Sequence, residues 1–287
     1  MGIRGIKILP AAIFMLVAAS VGLFCSSCGE SSGVKRPSAE ELRILSLVTA
    51  ADHILSELGC GDKIAAIDRH GKILPAMADK AVIAVGSTIS REMLHQYKIN
   101  CAVVWYYQQE LAEFLRKEGV FVYTVSPINL QTYCHLVDDL AELCGKKVAA
   151  EPLISKFDAA ISGENNDTSV PVKVYMELYA PWKVPAIDSY IGAILSLAGG
   201  VQAVEPAGAN ISVVSPEAVA MAEVEAVFYV ENFASAAEII SRPALRNSSA
   251  AKNKHIFAVP RELLCEGVAP ERLLKFFKEK LQLLKDK

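Results

Sequence analysis

Short apolar runs of strand length alternate with amphipathic stretches of helical length from residue 43 onward. The first unit is a β-rich run at residues 43–48, followed by apolar positions at Ile54, Leu55 and Leu58 in helical spacing and by Gly59 as a stop. Continuous apolar runs of this kind are typical of strands buried on both faces of a parallel sheet. The alternation predicts an α/β fold. Further strands are predicted at residues 63–67, 81–85, 101–105, 120–125, 172–178 and 226–230.

Predicted helices connect these runs. One of them is predicted to begin at Ser90 and to run toward Tyr97. A serine suits a helix start because its side chain accepts a hydrogen bond from a free N–H of the first helical turn. Residues 109–117 and 270–284 are amphipathic, and residues 131–162 are helical almost throughout. The long helical region lies between two series of strands.

The second half of the chain repeats the order of the first. Residues 54–61 have a counterpart in residues 194–200, and residues 90–94 match residues 215–219, with an apolar strand after each of the latter two. Two ordered matches on either side of a long helical stretch predict two α/β lobes bridged by a helix. The interface between such lobes is a natural concave site for a ligand.

The N-terminus has the layout of a secretory signal. Arg4 and Lys7 precede an almost unbroken apolar run at residues 8–24, which is shorter than the roughly 20 residues that a spanning helix prefers. The small residues that follow are similar to a bacterial lipoprotein signal, and this resemblance implies that Cys28 is lipidated. Cys25 stands where that pattern usually has leucine, so plain secretion remains open. A diacyl anchor would hold the exported protein at a membrane face.

Composition and charge narrow the classes of partner. The chain is 52% hydrophobic and 21% charged, which is a globular composition and excludes a wholly disordered chain. A net charge of −3 and the absence of a dense Lys/Arg block exclude the electrostatic footprint of a nucleic-acid-binding protein. The five cysteines beyond Cys28 are irregularly spaced and predict no disulfide framework.

Motifs for catalysis or for capture of a bare metal ion are missing. The sequence has no Gly-rich phosphate loop, no Gly-x-Ser-x-Gly elbow and no His-Glu-x-x-His pair. The five histidines form no close pair, and a bare-ion site would need three or four ligands from distant loops. We therefore expect that the protein is not an enzyme, has no intrinsic cofactor and has no metal site formed by side chains alone.

A set of short motifs resembles the class III periplasmic binding proteins of ABC importers. The resemblance covers residues 42–284 and implies two Rossmann-like lobes joined by one long helix, with a cargo of cobalamin, ferric siderophore or haem bound in the cleft. The Pro-Asp usually found before the fourth strand is Ile99-Asn100 here. The motifs are found at residues 43–47, 54–64 and 85–87, at Glu92 and at residues 198–200.

Glu92 and Glu217 each stand two residues after a serine that can cap a helix. A carboxylate in a first turn complements the positive end of the helix dipole, and this use is open to any helix start. The family resemblance implies a second role, in which one such glutamate on each lobe meets an arginine pocket on the permease. Recurrence at equivalent positions in both halves favours docking.

Aromatic residues follow two of the predicted strands, where open α/β sheets bind ligands. Trp105, Tyr106 and Tyr107 follow the strand at 101–105 and either line the cleft or pack in the core and on the lobe surface. Trp182 follows the strand at 172–178, and Tyr190 opens the next helix. We expect Trp182 to face Trp105, because two aromatic walls suit a large planar or macrocyclic chelate.

Three polar residues in predicted loops are further candidates. Arg69, His70 and Arg261 could meet carboxylates of the ligand, or each could be solvated surface. His70 is also a candidate axial ligand of a bound haem or cobalamin, with Tyr106 and Tyr107 as rivals for haem iron.

The sequence thus predicts the monomeric substrate-binding component of an ABC importer. It would capture a metal chelate between two lobes and deliver it to a permease whose ATPase subunits are separate, at the periplasm or cell surface. A receptor for a free transition-metal ion and an exported enzyme on the same scaffold remain alternatives. The predicted segments are a signal peptide at 1–27, a flexible tether at 28–41, an N-terminal lobe at 42–145, a bridging helix at 146–163 and a C-terminal lobe at 164–287.

Overall fold

Residues 44–125 form a five-stranded parallel sheet. The computed structural model describes residues 33–84, 88–162, 170–204 and 211–285. The sheet order is β3-β2-β1-β4-β5, and all four strand pairs are parallel, as the continuous apolar runs predict. The strands are β1 (Ile44–Ser46), β2 (Ile64–Asp68), β3 (Ala81–Ala84), β4 (Cys101–Trp105) and β5 (Phe121–Val125). The helices of this half are α1 (Thr49–Glu57), α2 (Arg91–Gln96), α3 (Gln109–Lys117) and α4 (Tyr133–Leu143).

A second parallel sheet follows later in the chain. Its elements are β6 (Val172–Glu177), β7 (Lys183–Pro185), α6 (Tyr190–Leu197), β8 (Gly200–Gln202), β9 (Ile211–Val213), α7 (Pro216–Met221), β10 (Ala226–Val230), α8 (Ala236–Ser241), α9 (Ser249–Asn253) and β11 (Ile256–Val259). Four of the strands form a parallel sheet in the order β11-β10-β6-β8, while β7 and β9 form a separate antiparallel pair.

The two sheets have equivalent strand orders. Four strands of the first sheet run β2-β1-β4-β5, and the second sheet runs β8-β6-β10-β11, so each first strand lies between the second and the third of its repeat. Gly59 and Gly199 follow the equivalent helices α1 and α6 with φ of 72° and 87°, a left-handed conformation that glycine adopts without steric cost. The predicted internal repeat is therefore present in the topology.

One long helix, α5 (Lys147–Ser162), lies between the two sheets in the chain. The bridging helix is predicted at 146–163, so α5 begins one residue later, and residue 163 lies outside the described residues. The predicted helical region at 131–162 is interrupted, because α4 ends at Leu143 and Gly145 takes a left-handed φ of 66°. The C-terminal helix α10 (Pro270–Lys285) packs against α5 and α6.

The largest hydrophobic core of the described residues packs against one face of each parallel sheet. It contains Leu55 of α1, Leu140 of α4 and Phe157 of α5 together with Phe228 of β10 and Phe277 of α10, each at most 1% exposed. Smaller cores cover the other face of each sheet. Because one continuous core joins helices from both halves, the halves are not separate folding bodies.

The chain before the first strand is partly fixed. The Lys63 Nζ donates to the Glu40 carbonyl at 3.0 Å, and the Asn100 Nδ2 donates to the Glu41 carbonyl at 2.7 Å. Residues 40–41 of the predicted flexible tether therefore lie against the first sheet. The predicted signal peptide and Cys28 lie outside the described residues. Within those residues, no helix combines the length and apolar character needed to cross a membrane.

Candidate functional site

A cleft of about 650 Å³ opens at the carboxyl ends of strands from both sheets. Strand order reverses between β1 and β4 in the first sheet and between β6 and β10 in the second. Ligands of open α/β sheets bind at such switch points. The volume falls within the range of about 300–1,000 Å³ that small-molecule sites occupy. The lining residues are Leu47, Thr49, Ala50, Asp68, His70, Ile73, Trp105, Tyr107, Gln108, Tyr179, Phe233, Arg261, Cys265 and Glu266.

Trp105 and Tyr107 form the aromatic wall on the first-sheet side. Their rings are nearly parallel, with centroids 6.1 Å apart and planes at 9°. The Trp105 N–H donates to the Gln108 side chain at 2.9 Å, and the Tyr106 N–H donates to the Val125 carbonyl at 2.9 Å. These bonds fix the turn after β4, so the wall is held in place although Tyr107 is 64% exposed.

Tyr179 and Phe233 form the aromatic wall on the second-sheet side. Tyr179 follows β6 and Phe233 follows β10, and their rings meet edge to face with centroids 5.1 Å apart. The Arg261 guanidinium lies 5.3 Å from the centroid of Phe233. This cation–π contact orients a positive group at the rim of an aromatic surface.

A buried ion pair links the segments that follow β6 and β10. Glu177, at the end of β6, is 2% exposed and pairs with Arg242 at the end of α8. It also accepts hydrogen bonds from the Tyr175 hydroxyl at 2.6 Å and from the Trp182 N–H at 3.0 Å. The pair therefore joins the loop that carries Tyr179 to the helix that follows Phe233.

Trp182 does not face the cleft, contrary to the expectation that it opposes Trp105. It adopts a left-handed φ of 63°, and its ring lies 6.1 Å from Tyr175 and 5.2 Å from the Arg242 guanidinium. Tyr190 is also not brought to the cleft. It is 2% exposed at the first position of α6, where the helix turns that face into the main core.

The remaining sequence candidates divide into two groups. His70 and Arg261 line the cleft, whereas Arg69 is exposed outside it. Tyr106 is 46% exposed and meets Tyr107 edge to face, with centroids 5.4 Å apart, but does not itself line the cleft.

Carboxylates contribute to the cleft that the sequence reading did not identify. Asp68 accepts hydrogen bonds from the N–H groups of His70 at 2.8 Å and Gly71 at 3.1 Å, which fixes the turn carrying His70. Partial burial raises the pKa of Glu266. Burial also raises the pKa of Tyr107, and the nearby Asp68 carboxylate adds to that shift. A ligand in this cleft thus meets aromatic faces, one guanidinium and two carboxyl groups.

Tyr179 and Phe233 are the aromatic residues that the sequence reading missed as cleft walls. Both come within three residues of the end of an apolar strand, which was an available signal. They follow the strands that are equivalent to β1 and β4 of the first sheet, because β6 corresponds to β1 and β10 to β4.

Glu92 and Glu217 occupy the equivalent first turns of α2 and α7, and both are exposed. The Ser90 Oγ accepts from the Met93 N–H at 3.2 Å, and the Ser215 Oγ accepts from the Ala218 N–H at 3.1 Å. The serines therefore already cap the helices, and both carboxylates are directed to solvent at matching places in the two halves.

Metal-binding groups do not cluster within the described parts of the chain. No three His, Cys, Asp or Glu side chains there come together so as to hold an ion. His70, Tyr107 and Tyr179 are the cleft residues that carry an imidazole nitrogen or a phenolic oxygen.

Three solved structures with the same fold are of periplasmic binding proteins. The haem-binding protein RhuT from Roseiflexus sp. RS-1 matches with a TM-score of 0.74 at 19% identity, covering 85% of this chain and 98% of that one. The haem-binding protein HutB of Vibrio cholerae matches with a TM-score of 0.74 at 19% identity, covering 86% and 99%. The vitamin B12-binding protein BtuF of Vibrio cholerae matches with a TM-score of 0.70 at 21% identity, covering 85% and 98%.

The sequence itself carries the family assignment. A comparison with curated protein sequences finds no match. The model of the periplasmic binding protein family matches residues 44–263, which include every strand of both parallel sheets. That family consists of binding proteins and not of enzymes, in agreement with the motif resemblance and with the absence of catalytic motifs from the sequence. The chain belongs to the periplasmic binding protein family.

Proposed function

We propose that this protein is the substrate-binding component of an ABC importer and that it captures a metal chelate, namely haem, cobalamin or a ferric siderophore. The observation that carries the proposal is the pair of aromatic walls, Trp105 with Tyr107 from the first-sheet side and Tyr179 with Phe233 from the second-sheet side, that line one cleft. Aromatic faces on two sides suit a large planar or macrocyclic ligand, because such a ligand offers both faces and edges for ring contacts.

The polar groups of the cleft add selectivity to this surface. Arg261 is positioned over Phe233 and suits a carboxylate of the cargo, such as a haem propionate. His70 and Tyr107 suit the metal centre. The similar solved structures include receptors for haem and for vitamin B12, which supports the same cargo class for this chain.

The cargo is tested by calorimetric titration of the purified protein. The panel comprises haemin, cyanocobalamin, a catecholate and a hydroxamate ferric siderophore, the metal-free forms of the siderophores, and Ni²⁺ and Zn²⁺ as bare ions. Saturable binding of one intact chelate at 1:1 is the expected result. Binding of a bare ion without any chelate would favour the free-ion receptor, and binding of none of the chelates would overturn the proposal.

Neighbouring tyrosines provide a matched test of the aromatic wall. Tyr107→Ala should weaken chelate binding roughly 5- to 30-fold, because it removes a ring that lines the cleft. Tyr106→Ala removes an exposed ring that does not line the cleft and should change affinity by less than about 3-fold. Equal effects of the two substitutions would contradict the assignment of the wall.

Arg261→Ala and Arg69→Ala form a second matched pair. Loss of Arg261 should weaken a carboxylate-bearing chelate roughly 10- to 100-fold and leave a ligand without carboxylates nearly unchanged. Arg69 lies outside the cleft, so its loss should matter for neither. An Arg261 variant that binds haemin as tightly as the parent protein would exclude a carboxylate contact.

Delivery to the permease is proposed to use Glu92 and Glu217. Their exposed carboxylates stand at equivalent helix starts, one in each half, and so offer two matched contacts to a dimeric membrane partner. The Glu92→Gln, Glu217→Gln double variant should lose uptake in cells while its chelate affinity is unchanged. Glu110→Gln, at the exposed first turn of α3, is the control and should retain uptake. Normal uptake by the double variant would contradict docking and would leave both carboxylates only the role of complementing the helix dipole.

Attachment to the membrane is proposed to occur through lipidation of Cys28, and the receptor is proposed to act as a monomer. A Cys28→Ser protein should move from the membrane fraction to the soluble fraction, because a diacyl chain provides stable anchoring. Continued membrane retention of the variant would contradict lipidation. Sedimentation of the purified protein at several concentrations tests the monomer.

A further inference from the structure

Three cysteines meet in the core at the end of the first sheet that is opposite the cleft. Cys101 is the first residue of β4, Cys60 follows the end of α1, and Cys144 follows the end of α4. Their exposed fractions are 0%, 2% and 6%. All three thiols are free in the structure. The cargo site uses none of them.

Cys60 and Cys144 are the closest pair of this group. The Cys144 thiol is within hydrogen-bonding reach of the Cys60 thiol, while Cys101 is a more distant neighbour. The helices α1 and α4 that precede the two cysteines pack directly on each other. The backbone at both positions is held by hydrogen bonds, from the Cys60 N–H to Leu55 at 2.8 Å and from the Cys144 N–H to Leu140 at 3.1 Å. Both side chains lie in the same core, where the Cys60 thiol donates to the Leu58 carbonyl at 3.7 Å and lies beside the Cys144 thiol.

We propose that Cys60 and Cys144 form a disulfide bond in the exported protein. Periplasmic binding proteins fold in a compartment where disulfides form and persist. The two thiols lose two protons and two electrons, and an S–S bond forms between the two sulfur atoms. The oxidant is a disulfide donor that acts by thiol–disulfide exchange and is itself reduced to two thiols.

The bond must form while the chain folds. Burial raises the pKa of the Cys144 thiol to about 12, so the folded protein holds it protonated and shielded from a donor. During folding the thiols are accessible, and packing of α1 on α4 brings them together. Exchange with the donor then precedes closure of the core.

The bond would connect two places that are distant in sequence. It closes a loop of about 85 residues and ties the end of α1 to a residue three positions before α5. Long loops gain most from such a link, because it restricts the unfolded chain. The link would thus secure the base of α5 to the first sheet. This inference rests on the family and not on the cargo.

Mass spectrometry of the full chain, exported and purified without reductant, tests the proposal. After alkylation of free thiols under denaturing conditions, Cys60 and Cys144 should remain unmodified and appear as one linked peptide pair, about 2 Da lighter than the two thiols. Cys134 and Cys265 should be alkylated. Alkylation of both Cys60 and Cys144, or a link that includes Cys101, would overturn the proposal.

Thermal unfolding provides a second readout. Reduction should lower the Tm of the parent protein by roughly 5–10 °C and should leave a Cys60→Ser, Cys144→Ser double variant unchanged. A Cys134→Ser protein is the matched control and should keep the full reduction-dependent shift. An equal shift in the double variant would show that the effect does not come from this pair.

Discussion

Asp52 in α1 is a buried carboxyl group without an ion-pair partner among the described residues. It is 0% exposed, and neither of its side-chain oxygens makes a hydrogen bond among the described residues. Burial raises the pKa of Asp52 well above its ordinary value of 3.8. The nearby Ser46 hydroxyl, which donates to the Val48 carbonyl at 3.3 Å, opposes this shift, and the Asp68 carboxylate adds to it. The folded protein therefore holds a proton on Asp52 that the unfolded chain loses above about pH 4.

This difference in bound protons has a definite sign. Between pH 3.8 and the raised pKa of the folded state, the native protein carries one more proton than the unfolded chain at this position. Its contribution to the free energy of unfolding then falls by about 1.4 kcal/mol for each unit of rising pH. Asp52→Asn keeps the size of the side chain and cannot titrate, so it removes this dependence.

Urea unfolding followed by circular dichroism between pH 4.5 and 7.5 measures the effect. The free energy of unfolding of Asp52→Asn minus that of the parent should rise by about 1.4 kcal/mol per pH unit for as long as the folded carboxyl stays protonated. Asp62→Asn, at an exposed position, is the matched control for the substitution itself. A flat difference for Asp52→Asn would refute a raised pKa in the folded state.

Two further substitutions test packing. Arg242→Met should lower the free energy of unfolding by about 3 kcal/mol, because it leaves the Glu177 carboxylate buried without its charge partner. Adding Glu177→Leu should recover much of this loss. A cost of Arg242→Met under about 1 kcal/mol would contradict the stabilising role of the ion pair. Gly71→Ala should cost about 1–3 kcal/mol, because a Cβ there would lie 2.6 Å from an Asp52 oxygen. Adding Asp52→Ala should relieve part of that cost, and Gly33→Ala, with open space around it, should be neutral in the same urea assay.

For elements with strong local signals, the predicted first and last residues agree with the structure. The amphipathic stretch at Gln109–Lys117 is α3, and the apolar run at Ala226–Val230 is β10. The Ser90 cap is also present. Each of these features depends on residues within one helical turn or one strand, so the local sequence is sufficient to predict it.

The cleft could be predicted only in part. Trp105 lines it because the end of β4 is fixed by the strand itself, whereas the orientation of Trp182 depends on Arg242, a residue 60 positions away in sequence. The residues next to Trp182 in sequence give no sign of that contact. Tyr190 is different, since it continues the apolar face of Ile194 in α6; this helical spacing was an available sign of burial, which the expectation of a cleft position did not take into account.

The core shared by the two sheets determines how the molecule responds to stress. Gly267, with a left-handed φ of 78°, brings the chain of the second half so close to the first that a Cβ would lie 2.8 Å from Ala50 and 3.1 Å from Ile128. Together with α5 this contact makes a second mechanical link across the floor of the cleft. Heat should therefore melt both halves in a single calorimetric transition, and damage to either half should impair the whole receptor.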